Sequence, residues 1–430
     1  MKKFEPGKVI STDFGAPIKI VKYLASGGQG DVYIVEYAGK KKALKWYNPL
    51  ALKEPDAFYD NLKHNADKGS PDKAFLWPDA VTEKIEGSFG YIMDLRPDGY
   101  YELSKILASE KYRFVSFKAA IDACIVITNA FRKLHTAGYC YGDMNDGHFF
   151  INPQTGDVII CDNDDVVPNG TKVSVLQHPR YSAPEMVISE GKRSPDKQSE
   201  RYVLSVLIFL ILCGGHPLEG KQWLVPCMDF VKSKDLYGVN PVFIFDPNND
   251  SNRPVENIHV NTIHRWNMMP LFFKEMCIKA FSKQSLLEPY KRPCELDWLK
   301  VLVRLRNCVV RCSCGSEMFV DGIGSYKCDC CEETIEIKNA LELPTYSIIA
   351  LKGTRIYRCQ VGICNIEEAL DPVLHVVAKG DGTLGVKNMT SDPIKAFTPS
   401  RKEKVIEPGM VVPFISGISI VVYDKTINLT

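Results

Sequence analysis

The sequence predicts an α+β fold in two lobes, followed by a small cysteine-rich module and a β-sandwich. Strand-like segments fill residues 18–46, and helical patterns dominate from Glu102 to about residue 305. Short strands separated by Gly, Pro and Asp turns return over residues 343–430, as in a sandwich of two sheets. Between these regions, six cysteines crowd into the stretch from Cys308 to Cys331. At 430 residues the chain is long enough for two or three such units.

Composition and charge narrow the class of protein. Hydrophobic residues make up 45% and charged residues 24%, which is typical of a chain with a packed core. The net charge of +1 provides no basic field for nucleic acid. The first residues lack the apolar core of a signal peptide, and the most apolar run, Tyr202 to Cys213, is too short to cross a bilayer. We therefore expect a cytoplasmic protein with reduced thiols that binds neither nucleic acid nor membrane.

The N-terminal elements surround a glycine-rich turn. Strands are predicted over 18–21, 31–35 and 42–45, and a helix over 52–66. The turn reads Gly27-Gly28-Gln29-Gly30-Asp31-Val32. Glycines let a backbone approach phosphate oxygens closely, although an ordinary hairpin turn uses the same residues. Lys45 follows Gly30 by fifteen residues at the end of the strand Ala43-Leu44-Lys45, where its ammonium group can reach nucleotide phosphates.

Two aspartates follow in the helical lobe. Asp143 comes after a long predicted helix, 117–135, and Asp162 follows nineteen residues later, after a predicted hairpin over 149–161. Two separated carboxylates divide into a base near an acceptor hydroxyl and an oxygen ligand for Mg²⁺. The segment closes with Arg180-Tyr181-Ser182-Ala183-Pro184-Glu185. A glycine turn, a lysine, two aspartates and Ala-Pro-Glu in this order indicate phosphoryl transfer.

These motifs resemble protein kinases over nearly three hundred residues. The resemblance implies a bilobal kinase domain over 1–305, with an N-lobe of about 1–94 and a C-lobe of about 95–305. It implies that Lys45 binds the ATP phosphates, that Asp143 is the catalytic aspartate and that Asp162 binds the metal. Asn163-Asp164 stand where kinases have Phe-Gly. The implied ATP site comprises Gly27, Gly28, Gly30, Val32, Ala43, Lys45, the gatekeeper Met93, the hinge residues Asp94, Leu95 and Arg96, and Asp162.

The same resemblance assigns supporting residues. Glu185 would pair with Arg292, and Glu200 would replace the aspartate that anchors the catalytic loop. The helical acid that pairs with the phosphate lysine falls at Asp60 by offset, with Asp56 as the alternative, although kinases have a glutamate there.

The acceptor side departs from the kinase pattern. His148 replaces the second metal-binding asparagine, Asn145 the lysine after the catalytic aspartate, and His178 the threonine before Ala-Pro-Glu. A neutral imidazole binds Mn²⁺ or Zn²⁺ but is a poor ligand for Mg²⁺. Two interpretations follow. A slow enzyme keeps one Mg²⁺ or Mn²⁺ on Asp162 and His148, or His148 is an inert replacement in a weak or dead enzyme.

Gly142 stands where kinases that are switched by activation-loop phosphate have an arginine. We therefore do not expect phosphorylation of Thr171, Ser174 or Ser182 to act as a simple on-switch.

Four phrases are similar to a narrower group, the bacterial tellurium-resistance-associated (TerY-P-type) Ser/Thr kinases. They are Gly69-Ser70-Pro71 with Phe75-Leu76-Trp77-Pro78, the run from Gly156 to Asp164, His216-Pro217-Leu218-Glu219-Gly220, and Phe243-Ile244-Phe245-Asp246-Pro247. This resemblance implies a zinc module and a forkhead-associated-like sandwich after the kinase domain. It also implies a PP2C-type phosphatase and a von Willebrand A-like protein as partners.

Two tight cysteine pairs predict a structural zinc site in a module over 306–340. Tetrahedral Zn²⁺ needs four soft ligands from two knuckles, and we expect Cys312, Cys314, Cys328 and Cys331, with Cys330 as the alternate. The other interpretation is a set of buried free thiols. So short a segment could not fold on apolar burial alone, and the metal would supply much of its stability.

Within the sandwich predicted over 341–430, the run from Leu384 to Ser391, Ile406-Glu407-Pro408-Gly409 and the alternating strand from Ile418 to Tyr423 resemble the second half of a forkhead-associated domain, a sandwich that binds phosphothreonine. Asn388 would be its backbone-pinning asparagine, and Arg355 and Arg358 are candidates for phosphate contact. A packing or docking module is the alternative.

The sequence thus predicts an ATP-dependent protein kinase that acts on Ser/Thr hydroxyls of a protein substrate in bacterial stress signalling. The alternative is a pseudokinase scaffold that binds nucleotide weakly or not at all and assembles a phosphatase complex. A small-molecule kinase is disfavoured by Ala183-Pro184-Glu185.

Overall fold

Antiparallel strand pairing builds the first lobe of the computed structural model, which describes residues 3–171, 178–362 and 364–430. Six strands form one sheet in the order β1-β2-β3-β4-β6-β5, and one helix packs beside it. Alternating apolar side chains of β2, β3 and β4 face a common core, as the two-residue period of a strand requires. The elements are β1 (Val9–Ser11), β2 (Pro17–Ser26), β3 (Gly30–Tyr37), β4 (Lys40–Tyr47), α1 (Pro55–Lys68), β5 (Ala80–Val81) and β6 (Gly90–Met93).

Helices build the second lobe around α3 and α5. The α5 side chains are almost all buried, which confirms that the apolar run from Tyr202 to Cys213 belongs to a core helix. Asp196 caps its first turn by accepting from the backbone N–H groups of Gln198 and Ser199, at 2.9 and 2.8 Å. The elements are β7 (Tyr101–Glu102), α2 (Leu103–Ala108), α3 (Phe117–Thr136), β8 (Tyr139–Cys140), β9 (Phe149–Ile151), β10 (Val158–Ile160), β11 (Val167–Pro168), α4 (Pro184–Ser189), α5 (Lys197–Cys213), α6 (Phe230–Lys234), α7 (Val260–Met268), α8 (Leu271–Ala280), α9 (Lys283–Leu287) and α10 (Glu295–Asn307).

Two short hairpins and then two sheets follow α10. The hairpins pair β12 with β13 and β14 with β15, and they carry the cysteine pairs. The sheets of the sandwich have the orders β17-β16-β25-β24-β21-β22 and β18-β19-β20-β23. The strands are β12 (Val309–Arg311), β13 (Glu317–Phe319), β14 (Gly324–Lys327), β15 (Thr334–Ile337), β16 (Ala340–Glu342), β17 (Ser347–Ile349), β18 (Arg355–Tyr357), β19 (Pro372–Ala378), β20 (Leu384–Asn388), β21 (Ile394–Phe397), β22 (Glu403–Ile406), β23 (Val411–Pro413), β24 (Ser419–Val422) and β25 (Lys425–Leu429).

The C-terminal modules dock on the helical lobe. Glu317 of the cysteine module accepts from the backbone N–H of Phe117 at the start of α3, at 2.5 Å. At the other end of α3, Arg132 donates to the carbonyl of Ile366 in the sandwich. Cys359 and Ala369 of the sandwich are part of the apolar core of the helical lobe. The predicted boundary near residue 305 therefore falls within α10, at a packed junction.

This architecture confirms the predicted fold class: a bilobal kinase-like domain, a cysteine module and a β-sandwich. Within the described ranges, the structure contains no helix long and apolar enough to cross a membrane.

Candidate functional site

Lys45 lies at the centre of an acidic cluster between the lobes. It is on β4 opposite Val32 of β3, and its Nζ lies 2.6 Å from Asp164 Oδ2 and 3.2 Å from Asp162 Oδ1. Both aspartates follow β10, and Asp162 has a left-handed backbone conformation with φ of 50°. Two carboxylates on one ammonium group stabilise its charge, and they raise the pKa of Lys45 above its ordinary value although burial alone would lower it.

The acid that pairs with Lys45 was wrongly predicted. Asp60 is exposed, and Asp56 forms an ion pair with Lys84 at 2.6 Å instead. In the described part of the chain, neither pairs with Lys45, because the inward face of α1 carries Leu62 and Asn65 rather than an acid. The offset from the lysine located the helix correctly, but the helix turns both acids to solvent.

Asp164 and its neighbours are functional candidates that the sequence analysis missed. Tyr47 donates its hydroxyl proton to Asp164, and the buried Asp164 keeps a lowered pKa because Lys45 and Tyr47 outweigh the effect of burial. Burial, and then the charge of Asp164, raises the pKa of the adjacent Asp165 to about 8. The available signal was the acidic run Asp162-Asn163-Asp164-Asp165, directly after an apolar strand.

The structure brings Asp143, Asn145 and His148 together with Asp162. The Asn145 amide lies 3.3 Å from Asp143 Oδ2, and His148 Nε2 lies 4.0 Å from that oxygen and 3.4 Å from Asp162 Oδ2. Burial raises the pKa of Asp143, although His148 and Asn145 partly offset this effect. A carboxylate with a raised pKa is a stronger base than an ordinary aspartate.

The orientation of the His148 ring favours a role as a ligand. Its Nδ1 lies 2.9 Å from the backbone oxygen of Asp143, so this nitrogen donates its proton there. In the tautomer with the proton on Nδ1, the lone pair of Nε2 faces the carboxylates of Asp143 and Asp162, and the Asn145 amide nitrogen also lies 3.3 Å from Nε2. A backbone acceptor on the far nitrogen is a typical support of metal-binding histidines. The residues present therefore fit a divalent cation held by mixed nitrogen and oxygen donors.

A buried network supports the loop that carries Asp143. The Gly142 N–H donates to Glu200 Oε1 at 2.8 Å, and Tyr141 donates its hydroxyl proton to the Cys161 carbonyl. Glu200 therefore contacts the predicted loop, because it accepts from the residue directly before Asp143. Glu200 Oε2 also contacts His135 Nε2 at 2.8 Å, and the other ring nitrogen contacts Glu295 at 2.7 Å.

One other assignment on the helical lobe has a clear outcome. Arg292 donates to both oxygens of Glu185, at 2.8 and 2.7 Å, which confirms the predicted pair. His178 accepts from the N–H of Arg180 at 3.2 Å. Ser174 lies outside the described residues.

The glycine turn is a tight hairpin. The N–H of Gly27 donates to the Gly30 carbonyl at 2.8 Å, which closes a tight hairpin. A Cβ at Gly30 would lie 2.0 Å from the Trp46 carbonyl, so glycine is needed there for packing. A Cβ at Gly28 would meet no described atom within 4 Å, so packing does not require glycine there.

The predicted hinge follows β6. Met93 pairs with Ala43 of β4, and Asp94 forms an ion pair with Lys42 at 2.5 Å, so Asp94 presents a partly neutralised carboxylate. Leu95 is half-buried after it. The Arg96 guanidinium lies 3.9 Å from the ring centroid of Phe150, a residue of β9 that the sequence analysis did not single out. This contact links the hinge to the strand beyond the catalytic loop.

Four cysteine sulfurs cluster in the small module. The Sγ atoms of Cys312, Cys314, Cys328 and Cys331 all lie within 4.8 Å of one another, with 3.5 Å between Cys312 and Cys331 and 3.7 Å between Cys314 and Cys328. Sulfurs about 3.8 Å apart are what tetrahedral Zn–S bonds of about 2.3 Å produce. The donor set therefore fits zinc, and the exposed Cys330 is not part of it.

Asn388 pins the backbone of the sandwich. Its buried amide donates to the carbonyls of Asp392 and Ile406, both at 3.0 Å, and its oxygen accepts from the N–H of Thr390 at 2.9 Å. The two candidate phosphate residues differ. Arg355 is exposed, whereas Arg358 packs 3.5 Å from the Tyr423 ring centroid.

Comparison with known proteins gives structural neighbours alone. No family model and no curated protein matches the chain. Among solved structures, the kinase domain of Mycobacterium tuberculosis PknI and a double mutant of it share 14% sequence identity with the chain, at TM-scores of 0.45 and 0.47. Each match covers 70% of this chain and 98% of the PknI chain. A likeness at this level says nothing about activity or substrate.

Proposed function

We propose that the chain is an ATP-dependent protein kinase that transfers the γ-phosphoryl group to Ser/Thr hydroxyls of a protein substrate. One observation supports this above all. Lys45, Asp143, His148 and Asp162 come from β4, from the loop after β8 and from the segment after β10, and they converge on one space between the lobes. A charged lysine, a basic carboxylate and a cation site are the parts that phosphoryl transfer requires.

The proposed role of each residue in the site follows from its contacts. Lys45 binds the α- and β-phosphates of ATP with an ammonium group whose direction is fixed by carboxylates. Asp143 orients the acceptor hydroxyl and accepts its proton as the new O–P bond forms and the bond between the γ-phosphorus and the β,γ-bridging oxygen breaks. Because the reacting groups are held in place, positioning and charge neutralisation supply most of the rate.

Asp162 and His148 would hold Mg²⁺ or Mn²⁺. The bound cation would neutralise charge on the ATP phosphates. An imidazole donor favours Mn²⁺ over Mg²⁺ at this site.

The remaining parts of the proposal concern the C-terminal modules and the setting. Cys312, Cys314, Cys328 and Cys331 bind a structural Zn²⁺, and the sandwich is a forkhead-associated-like docking module. A PP2C-type phosphatase and a von Willebrand A-like protein are the proposed partners, in a cytoplasmic bacterial stress-response system of the TerY-P type. The hydrogen bonds by which Asn388 pins two backbone carbonyls support the sandwich assignment.

A scaffold function is the second candidate. Lys45 already contacts two carboxylates, and His148 and Asn145 crowd Asp143. These contacts favour a chain that binds nucleotide without transferring phosphate and that assembles a phosphatase complex through its sandwich.

Labelled ATP separates the two functions. The full chain should transfer ³²P to itself or to a generic protein substrate, faster with Mn²⁺ than with Mg²⁺. Asp143→Asn should lower the rate by about 10²–10⁴-fold, the usual contribution of a general base, and Asp162→Ala should abolish transfer. His148→Asn should shift the preference towards Mg²⁺. ATP binding without transfer in either metal would overturn the enzyme and leave the scaffold.

A further inference from the structure

The two carboxylates on Lys45 differ in exposure. The Asp164 side chain is 1% exposed and the Asp162 side chain is 45% exposed. A ligand that enters from solvent can reach Asp162, whereas Asp164 stays behind the lysine. If a cation drew Asp162 away, Asp164 would be the carboxylate left on Lys45.

Asp164 is held on the lobe that carries the lysine. Tyr47 lies two residues beyond Lys45 on β4, so both side chains project from the same face of the strand. The Tyr47 hydroxyl and the Lys45 ammonium contact the same oxygen, Asp164 Oδ2. The other oxygen, Oδ1, is buried and has no hydrogen-bond partner in the described residues. The burial of this carboxylate thus depends on Lys45 and Tyr47.

Helix α1 contacts the same segment through amides. The Asn61 and Asn65 side chains donate to the Val166 carbonyl, at 2.8 and 2.9 Å. Val166 lies two residues beyond Asp164, and Asn65 is fully buried. The helix therefore holds the segment 162–166 in place, and this segment in turn holds the lysine.

We propose that Asp164 is the positioning residue of Lys45: it fixes the lysine for the ATP phosphates in place of an acid on α1, and α1 acts on the lysine indirectly through Asn61, Asn65 and Val166. This inference rests on the proposed ATP site. It places the lysine's anchor and the cation ligand Asp162 on one segment, so one backbone arrangement sets both. Displacement of α1 would then disturb phosphate binding and cation binding together.

Nucleotide binding by the full chain, measured by calorimetry with ATP and with adenosine, tests the assignment. Asp164→Asn is isosteric and removes the charge, so we expect ATP affinity to fall about 10–100-fold, the effect of losing a charged hydrogen bond. Adenosine lacks phosphates, and its affinity should change less than about twofold. A general loss of structure would weaken both ligands equally.

Two other variants distinguish the effect of the Asp164 charge from the effect of the side-chain shape. Asp164→Glu keeps the carboxylate and should retain more ATP affinity than Asp164→Asn, whereas a space-filling role predicts the reverse order. Tyr47→Phe removes one donor and should weaken ATP binding less than Asp164→Asn, and it provides the test if the Asp164 variants do not fold. Asp60→Asn, on the exposed face of α1, is the matched control and should bind ATP like the unmodified chain.

The outcomes separate this inference from the proposed function. Normal ATP binding by Asp164→Asn, or a loss in Asp60→Asn alone, overturns the role of Asp164. Normal binding by Tyr47→Phe overturns the role of Tyr47 and, if the Asp164 variants do not fold, that of Asp164 as well. ATP binding without phosphoryl transfer overturns the kinase function and leaves Asp164 as the anchor of a binding site. No ATP binding by the unmodified chain overturns both.

Discussion

Two charged networks lie close together in this molecule, and they differ in the balance of positive and negative charge. Beneath the catalytic loop, His135 and Arg201 face the carboxylates of Glu200 and Glu295, so two cations meet two anions. Around Lys45, one ammonium group and one imidazole face Asp143, Asp162 and Asp164. In the first network the positive and negative charges are equal in number, and its Glu200 holds the loop that carries Asp143. The second carries excess negative charge, and Asp162 is its most exposed carboxylate. The difference separates a structural network from a site for a ligand.

The largest expected effect on stability comes from breaking the charge-balanced network around His135. Glu295→Ala removes one carboxylate from the buried His135 and from the half-buried Arg201, and we expect it to lower the free energy of unfolding by about 3–5 kcal/mol, as for other broken buried pairs. Urea denaturation followed by tryptophan fluorescence measures this loss. Asp56→Ala breaks the exposed pair with Lys84 and is the matched control, with a far smaller effect. Equal losses in the two variants would contradict the contrast between the networks.

The next largest effect concerns the pH dependence of the free energy of unfolding. Burial alone would lower the pKa of His135, but Glu200 and Glu295 outweigh it and raise this pKa to about 9 from 6.5. The folded state therefore binds a proton that the unfolded state releases, and this stabilisation is complete below about pH 6.5 and lost as the pH rises to about 9. His135→Gln should remove a component of up to about 3 kcal/mol from the pH dependence of unfolding. Parallel pH profiles for the two proteins would show that His135 is not protonated in the fold.

The smallest expected effect concerns the second network, the acidic site around Lys45. Mn²⁺ should stabilise the chain by about 1.4 kcal/mol at roughly ten times its dissociation constant, because it binds the folded acidic site. Thermal unfolding with and without Mn²⁺ measures this gain. Asp162→Ala should abolish it and His148→Asn should reduce it, whereas Glu185→Gln, in an ion pair away from Lys45, is the control and should keep it. A gain that survives in Asp162→Ala would place the cation elsewhere.

Local patterns in the sequence were sufficient to predict most elements and the cysteine cluster. The alternation in β2 to β4, the apolar length of α5 and the spacing of the four cysteines each depend on neighbouring residues, and these predictions agree with the structure. The partner of Lys45 was beyond such patterns. It depends on the left-handed turn at Asp162, which brings Asp164 to a strand more than one hundred residues earlier. The contact of Arg132 with Ile366 joins residues that are still further apart in sequence, and no periodicity indicates it.

The cap that Glu317 provides for α3 also bears on how the chain is made. The N–H of Phe117 and its acceptor are 200 residues apart. At about 5–20 residues per second, a ribosome takes roughly 10–40 s to supply this carboxylate after the helix has emerged. Arg132, towards the other end of α3, gains its acceptor later still, when Ile366 has been synthesised. The central helix of the C-lobe therefore spends much of synthesis without the partners of its two ends, and the lobe completes its packing only as the sandwich appears.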